Sequence, residues 1–130
     1  MRALNRAWAG IAGELYGPQY LSMRAESSEA AHPYYEQLAT TLALLEEQAV
    51  KGQFFHGAAL SVTDIVLAPM FARFNLMMEL GSDNFYHNMP KLKSLSERLL
   101  AEEAVYKTMS GEWKQQFIDN MKQNGGYLFQ

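Results

Sequence analysis

The chain contains no cysteine. That excludes disulfides, thiolate metal sites and a cysteine nucleophile within it. Surplus positive charge is also lacking: 11 Lys and Arg against 14 Asp and Glu leave a formal net charge of −3. Without a basic footprint, neither nucleic acid nor an anionic membrane is an expected partner. No uninterrupted apolar run is long enough to span a bilayer. The first residues, with Arg2 and Arg6 among Ala and Gly, lack the apolar core and cleavage pattern of a secretory signal. A cytoplasmic location is the default expectation. Strand-like alternation, internal repeats and low-complexity tracts are missing as well. What is present is 130 residues, 48% of them hydrophobic, enough for one core and too few for two independent domains.

The apolar residues recur at helical spacing throughout. Leu4, Trp8, Ile11 and Leu15 predict a first helix from about Ala3 towards Gly17-Pro18, resuming, bent, to Arg24. Ser27-Ser28-Glu29 reads as a connection, with Pro33 early in the second helix. There Tyr35, Leu38, Leu42, Leu45 and Ala49 form a one-sided seam, Glu36, Gln37, Glu46 and Glu47 take other faces, and Gly52 closes the element. Gly81-Ser82-Asp83-Asn84 reads as a turn, and Pro90 opens a helix buried along Leu92, Leu95 and Leu99. A short segment follows near Ala104 to Met109. Ser110 stands where it can cap a last helix carrying Trp113, Phe117 and Met121, which Gly125-Gly126 ends, leaving Tyr127-Leu128-Phe129-Gln130 as an apolar tail.

The most specific segment lies in the middle. Ser61 sits where an N-cap belongs, and Asp64 follows three residues later to reach back to the cap's amide. Leu60 and Ile65 have the spacing of a hydrophobic staple. From Ile65 to Leu80 only Arg73, Asn75 and Glu79 are clearly polar, so this helix is apolar around most of its circumference and is expected at the centre of an all-α bundle of five or more helices. Pro69 falls inside it, where it is expected to bend the axis and free a carbonyl.

Candidate chemistry is sparse. Ser61 with Asp64 has the composition of a nucleophile and an acid, but no His lies on the same helical face to activate the hydroxyl, and capping accounts for both. Glu29-Ala30-Ala31-His32 has the Glu-x-x-His spacing of di-iron bundles, which need a second copy and two further glutamates; a single copy is a chance match, and no metal is expected. His56 and His87 fall in expected loops as surface or capping residues. On the first helix, Asn5, Ala9, Ala12, Gly13, Tyr16 and Tyr20 lie opposite the core stripe. Small residues there admit a close backbone or ligand, and the tyrosines offer rings with hydroxyl handles. The same small residues equally suit packing within the domain.

The Gly57, Leu60-Ser61 and Asp64 pattern resembles the C-terminal helical domain of the glutathione transferase superfamily, where it introduces a buried sixth helix. The resemblance extends through Arg2-Ala3-Leu4, Arg6-Ala7-Trp8, Leu67-Ala68-Pro69 and Gly125-Gly126-Tyr127-Leu128, as in many bacterial members. Thr63 stands where the family usually has Ala, and Glu102-Glu103 where a Pro commonly opens the next helix.

The resemblance implies that residues 1–130 are one such helical domain, with the first helix lining an electrophile pocket and part of a homodimer interface. By position, Glu14 would match the acid that reaches glutathione on the neighbouring subunit, and Tyr16, Tyr20, Tyr127 and Phe129 would line the pocket. Glutathione would be the co-substrate of the whole protein, held by a thioredoxin-like N-terminal domain that supplies the thiolate-stabilising residue. No βαβ pattern or Gly-rich anion site within the 130 residues replaces that domain, so no catalytic residue is expected here. Two other uses stay open: a free-standing helical protein-interaction module without catalysis, and a carrier of apolar ligands in which Met70, Met77 and Met78 line an adaptable pocket.

Overall fold

The computed structural model describes the backbone of residues 2–50, 54–82, 84–102 and 113–130, and the side chains in those ranges from residue 6 onward. Gly52, Asp83, the Ala104 to Met109 segment, Ser110, and the side chains of Leu4 and Asn5 lie outside the described residues. The described helices are α1 (Arg2–Gly13), α2 (Tyr16–Arg24), α3 (Ser28–Gln48), α4 (Val62–Glu79), α5 (Pro90–Ala101) and α6 (Trp113–Gln123), followed by a 3-10 turn (Tyr127–Phe129). Among the described residues there is no strand; one isolated bridge joins Phe54 to Gly57 in the loop before α4. No described helix is long and apolar enough to cross a membrane.

The first two elements separate earlier than the Gly17-Pro18 pair suggests. Glu14 and Leu15 donate to the carbonyls of Ile11 and Ala12, each at 3.1 Å, so the chain tightens by one step there and restarts at Tyr16. Pro18 then falls in the first turn of α2, where an N–H has no partner to lose. At α3 the start also shifts. Ser27 is extended (φ −149°, ψ 164°) and its side chain accepts the Ala30 N–H at 3.0 Å. Ser28 and Glu29 therefore form the first helical turn rather than a connection, and Pro33 lies in the helix interior.

Helix α4 occupies the centre, packed against α1, α5 and α2, while α2 also lies on α3. Ten of its 18 residues are buried, which requires neighbours on several sides rather than on one stripe. Pro69 is accommodated within a helix continuous from Val62 to Glu79. Leu38, Leu42, Leu45, Ala49, Leu92, Leu95 and Leu99 meet it in one core. Phe74 anchors an aromatic cluster, with Phe85 at 4.5 Å and Tyr86 at 6.5 Å between ring centroids. Burial pushes the Tyr86 phenol above its ordinary pKa, and its hydroxyl donates to Asn75 Oδ1 at 3.4 Å. Met70 and Met77 fill the core, and Met78 is half-buried against it.

Helix α5 has no side-chain cap of its own. Its first free amides, Lys91 and Leu92, donate instead to the Glu46 carboxylate of α3 at 3.2 and 2.9 Å. A carboxylate at a helix N-terminus satisfies orphan donors and opposes the positive end of the helix dipole. Glu46→Ala should therefore lower stability by about 1–2 kcal/mol in urea unfolding, with Glu46→Gln losing less. A midpoint unchanged in the Ala variant would show that the carboxylate contributes nothing.

The last helix ends at Gln123, and the chain turns at Gly125 (φ 79°), after which the tail folds back. Tyr127 N–H donates to the Ala25 carbonyl at 2.8 Å, and the Tyr127 and Tyr35 hydroxyls share a 2.6 Å hydrogen bond.

Candidate functional site

Two places gather polar side chains. The first is the entry to α4. Ser61 has the extended N-cap conformation, its Oγ accepts the Asp64 N–H at 3.4 Å, and its own N–H donates to Asp64 Oδ2 at 2.8 Å. The Ser61 hydroxyl donates to the same Oδ2 at 2.7 Å, and Phe55 N–H donates to Oδ1 at 2.8 Å. Asp64 and Phe55 are both fully buried. The carboxylate thus holds the helix start and the preceding loop together. Buried Thr63 is 3.0 Å from His56 Nε2, so the hydroxyl that replaces the usual Ala has a partner from that loop. His56 engages Thr63. The arrangement is structural. Leu60 and Ile65 are 39% and 56% exposed, and Val62 is 56% exposed, so the apolar face at this end of α4 is open.

The second place lies between α2, α4 and α6. Tyr16 and Tyr20, one turn apart, stack with ring centroids 6.1 Å apart and planes 7° from parallel. The Arg73 guanidinium lies 5.6 Å over the Tyr16 ring and the Arg24 guanidinium 5.5 Å over the Tyr20 ring, within cation–π range. Gln19, fully buried between the tyrosines in sequence, donates from Nε2 to the Met70 carbonyl at 2.9 Å and accepts from Arg73 at 3.5 Å. Burial lowers the Arg73 pKa, and Tyr16 acts in the opposite sense; a guanidinium remains charged regardless. A cavity of about 270 Å³ opens here, lined by Tyr16, Gln19, Tyr20, Met23, Arg73, Phe117, Asn120 and Met121.

The residues expected to line a ligand pocket are thus divided. Tyr16, exposed, and Tyr20, half-buried, border the cavity together. Glu14 is exposed in the turn between α1 and α2. Tyr127 is tied to Tyr35, and Phe129 is 4% exposed, packed edge-on against Phe117 at 6.1 Å. Phe129 is core and lies outside the cavity lining. Ala12 is fully buried, a correction to its placement opposite the core stripe: at four residues from Trp8 and three from Leu15 it shares their face. Arg73, Gln19 and Asn120 escape sequence reasoning because they come from three helices; the one signal was that Arg73 is one of the few polar residues on α4.

His32 pairs with Glu36 at 2.7 Å on the exposed side of α3. Among the described residues, no group of three or more His, Asp or Glu side chains is placed to hold a metal.

The family model described as "Glutathione S-transferase, C-terminal domain" matches residues 25–100. No curated protein and no solved structure matches the chain. The matched stretch takes in α3, α4 and nearly all of α5, with Leu60, Ser61, Asp64 and Ile65 inside it; Glu14, Tyr16, Tyr20, Tyr127 and Phe129 fall outside. Because the match covers more than half of the residues, including the buried helix on which the bundle is built, the chain belongs to the glutathione S-transferase C-terminal domain family.

Proposed function

We propose that these residues form the substrate-orienting wall of a glutathione transferase, with a thioredoxin-like domain binding glutathione and stabilising its thiolate. The observation that carries this is the stacked Tyr16–Tyr20 pair bordering a cavity beside the buried helix. In the reaction, the glutathione sulfur attacks an electrophilic carbon, adding to it or displacing a leaving group. Holding the carbon against rigid rings converts a collision into an oriented approach, a large part of what such a protein supplies. Glu14, exposed at the α1–α2 turn, is suited to reach glutathione on a neighbouring subunit of a homodimer. The open apolar end of α4 at Leu60, Val62 and Ile65 is consistent with a domain seated on it.

The free-standing interaction module is the second reading, favoured by that same open end. Joining the chain to a thioredoxin-like glutathione-binding domain separates the two. The 130 residues alone should neither stay on immobilised glutathione nor conjugate 1-chloro-2,4-dinitrobenzene. The joined protein should conjugate it, and Tyr16→Ala should raise KM for the electrophile by about fivefold, in keeping with loss of an aromatic contact of about 1 kcal/mol. Turnover by the 130 residues alone, or an unchanged KM in Tyr16→Ala, would overturn the proposal.

A further inference from the structure

Arg73 is a half-buried cation with no counterion among the described residues. Its contacts are Gln19 Oε1 at 3.5 Å, Met70 Sδ at 3.8 Å and the Tyr16 ring. The ion pairs between described residues, His32–Glu36 and Lys114–Glu79, lie elsewhere. A guanidinium carries five N–H donors, and here one long contact to an oxygen engages them. Taking a charge partly out of water is costly unless it is paired, yet among the described residues no carboxylate lies against this one.

The surroundings are arranged rather than merely vacant of acids. Gln19 is fully buried and fixed by its Nε2 bond to the Met70 carbonyl, which presents Oε1 to Arg73. That contact holds one side of the guanidinium while the residue lines a cavity of about 270 Å³ whose described lining residues include no Asp or Glu. Asn120 adds an amide to the lining, and Tyr16, Tyr20 and Phe117 add rings. Arg24, over the Tyr20 ring and bonded to Asn124 Oδ1 at 3.2 Å, is not among the described lining residues. The volume is at the small end for ligand sites, suited to one ring or a short chain.

We propose that the cavity binds a small organic carboxylate, its acid group paired with Arg73 and its apolar body against the Tyr16–Tyr20 stack. This rests on the reading of the two tyrosines as the electrophile wall and narrows the substrate to electrophiles that carry a carboxylate. Arg is suited to the task because its planar fork matches the two carboxylate oxygens.

Benzoate and benzamide share a ring and differ in charge, so NMR titration of the full chain with each tests the assignment. Benzoate should bind about tenfold more tightly, as a charge-assisted pair requires, and shift the side-chain amides of Gln19 and Asn120. Raised salt should weaken benzoate and spare benzamide. Arg73→Gln should abolish the preference while leaving benzamide binding in place, and Arg24→Gln should keep the preference. Equal binding of the two compounds would remove the anion site and leave the aromatic wall standing; binding of neither would remove both. A preference that survives in folded Arg73→Gln would also overturn the proposal. Should that variant not fold, the comparison of the two compounds on the parent chain decides the matter.

Discussion

Asp64→Ala should lower the unfolding free energy by about 3 kcal/mol, roughly 12 °C in Tm for a domain of this size. The carboxylate accepts hydrogen bonds from the amides of Ser61 and Phe55 and from the Ser61 hydroxyl, all between 2.7 and 2.8 Å. Removing it takes the partner from the amide of Phe55, a residue closed to water. A donor orphaned in that way costs more than a cap bond lost at a surface. Ser61→Ala, which removes the hydroxyl but leaves the carboxylate, should cost only about 1 kcal/mol. Thermal melts of both variants check the ranking. Equal losses, or a parent-like Asp64→Ala, would mean that the loop is held by something other than this side chain.

Gly126→Ala is the second large effect expected, also near 3 kcal/mol, on the scale of severe overpacking. A Cβ at residue 126 would lie 2.0 Å from the Met23 carbonyl oxygen and 3.2 Å from Phe129 Cδ2. The obstacle at 2.0 Å is backbone, which cannot rotate away. The tail must lift instead, breaking the Tyr127–Ala25 bond and drawing Phe129 out of the core. Gly125→Ala meets no atom within 4 Å, but residue 125 has φ +79°, which costs about 1 kcal/mol for an L side chain. Denaturant unfolding and carboxypeptidase release of the tail should both show 126 as the more sensitive position. The reverse order would refute the steric account.

That pair of glycines shows where sequence reading stops. Both are legible as the end of a helix, but only Gly125 is there for its dihedral; Gly126 is there because another segment, a hundred residues earlier, passes too close. The helices themselves were legible because Leu38, Leu42, Leu45 and Leu92, Leu95, Leu99 repeat at the period of the element that buries them. The Ser61–Asp64 exchange was legible for the same reason of locality. Glu46 on α5, Phe55 on Asp64 and His56 on Thr63 were not, since each bond joins segments whose separation is set by packing rather than spacing. At the cavity, Tyr16 and Tyr20 stand out as neighbours on one helix, whereas Arg73 acquires its meaning only from what is missing around it in space.

The packing of α1 on α4 also sets an order of events during synthesis. Trp8, Ile11 and Leu15 emerge from the ribosome well before Glu79, roughly 3–14 s earlier at ordinary elongation rates. Over that interval the nascent segment carries a greasy stripe with its main resting place not yet made, and chaperone capture is favoured in that window. Translation pauses placed before α4 has left the exit tunnel would prolong it; later pauses would not.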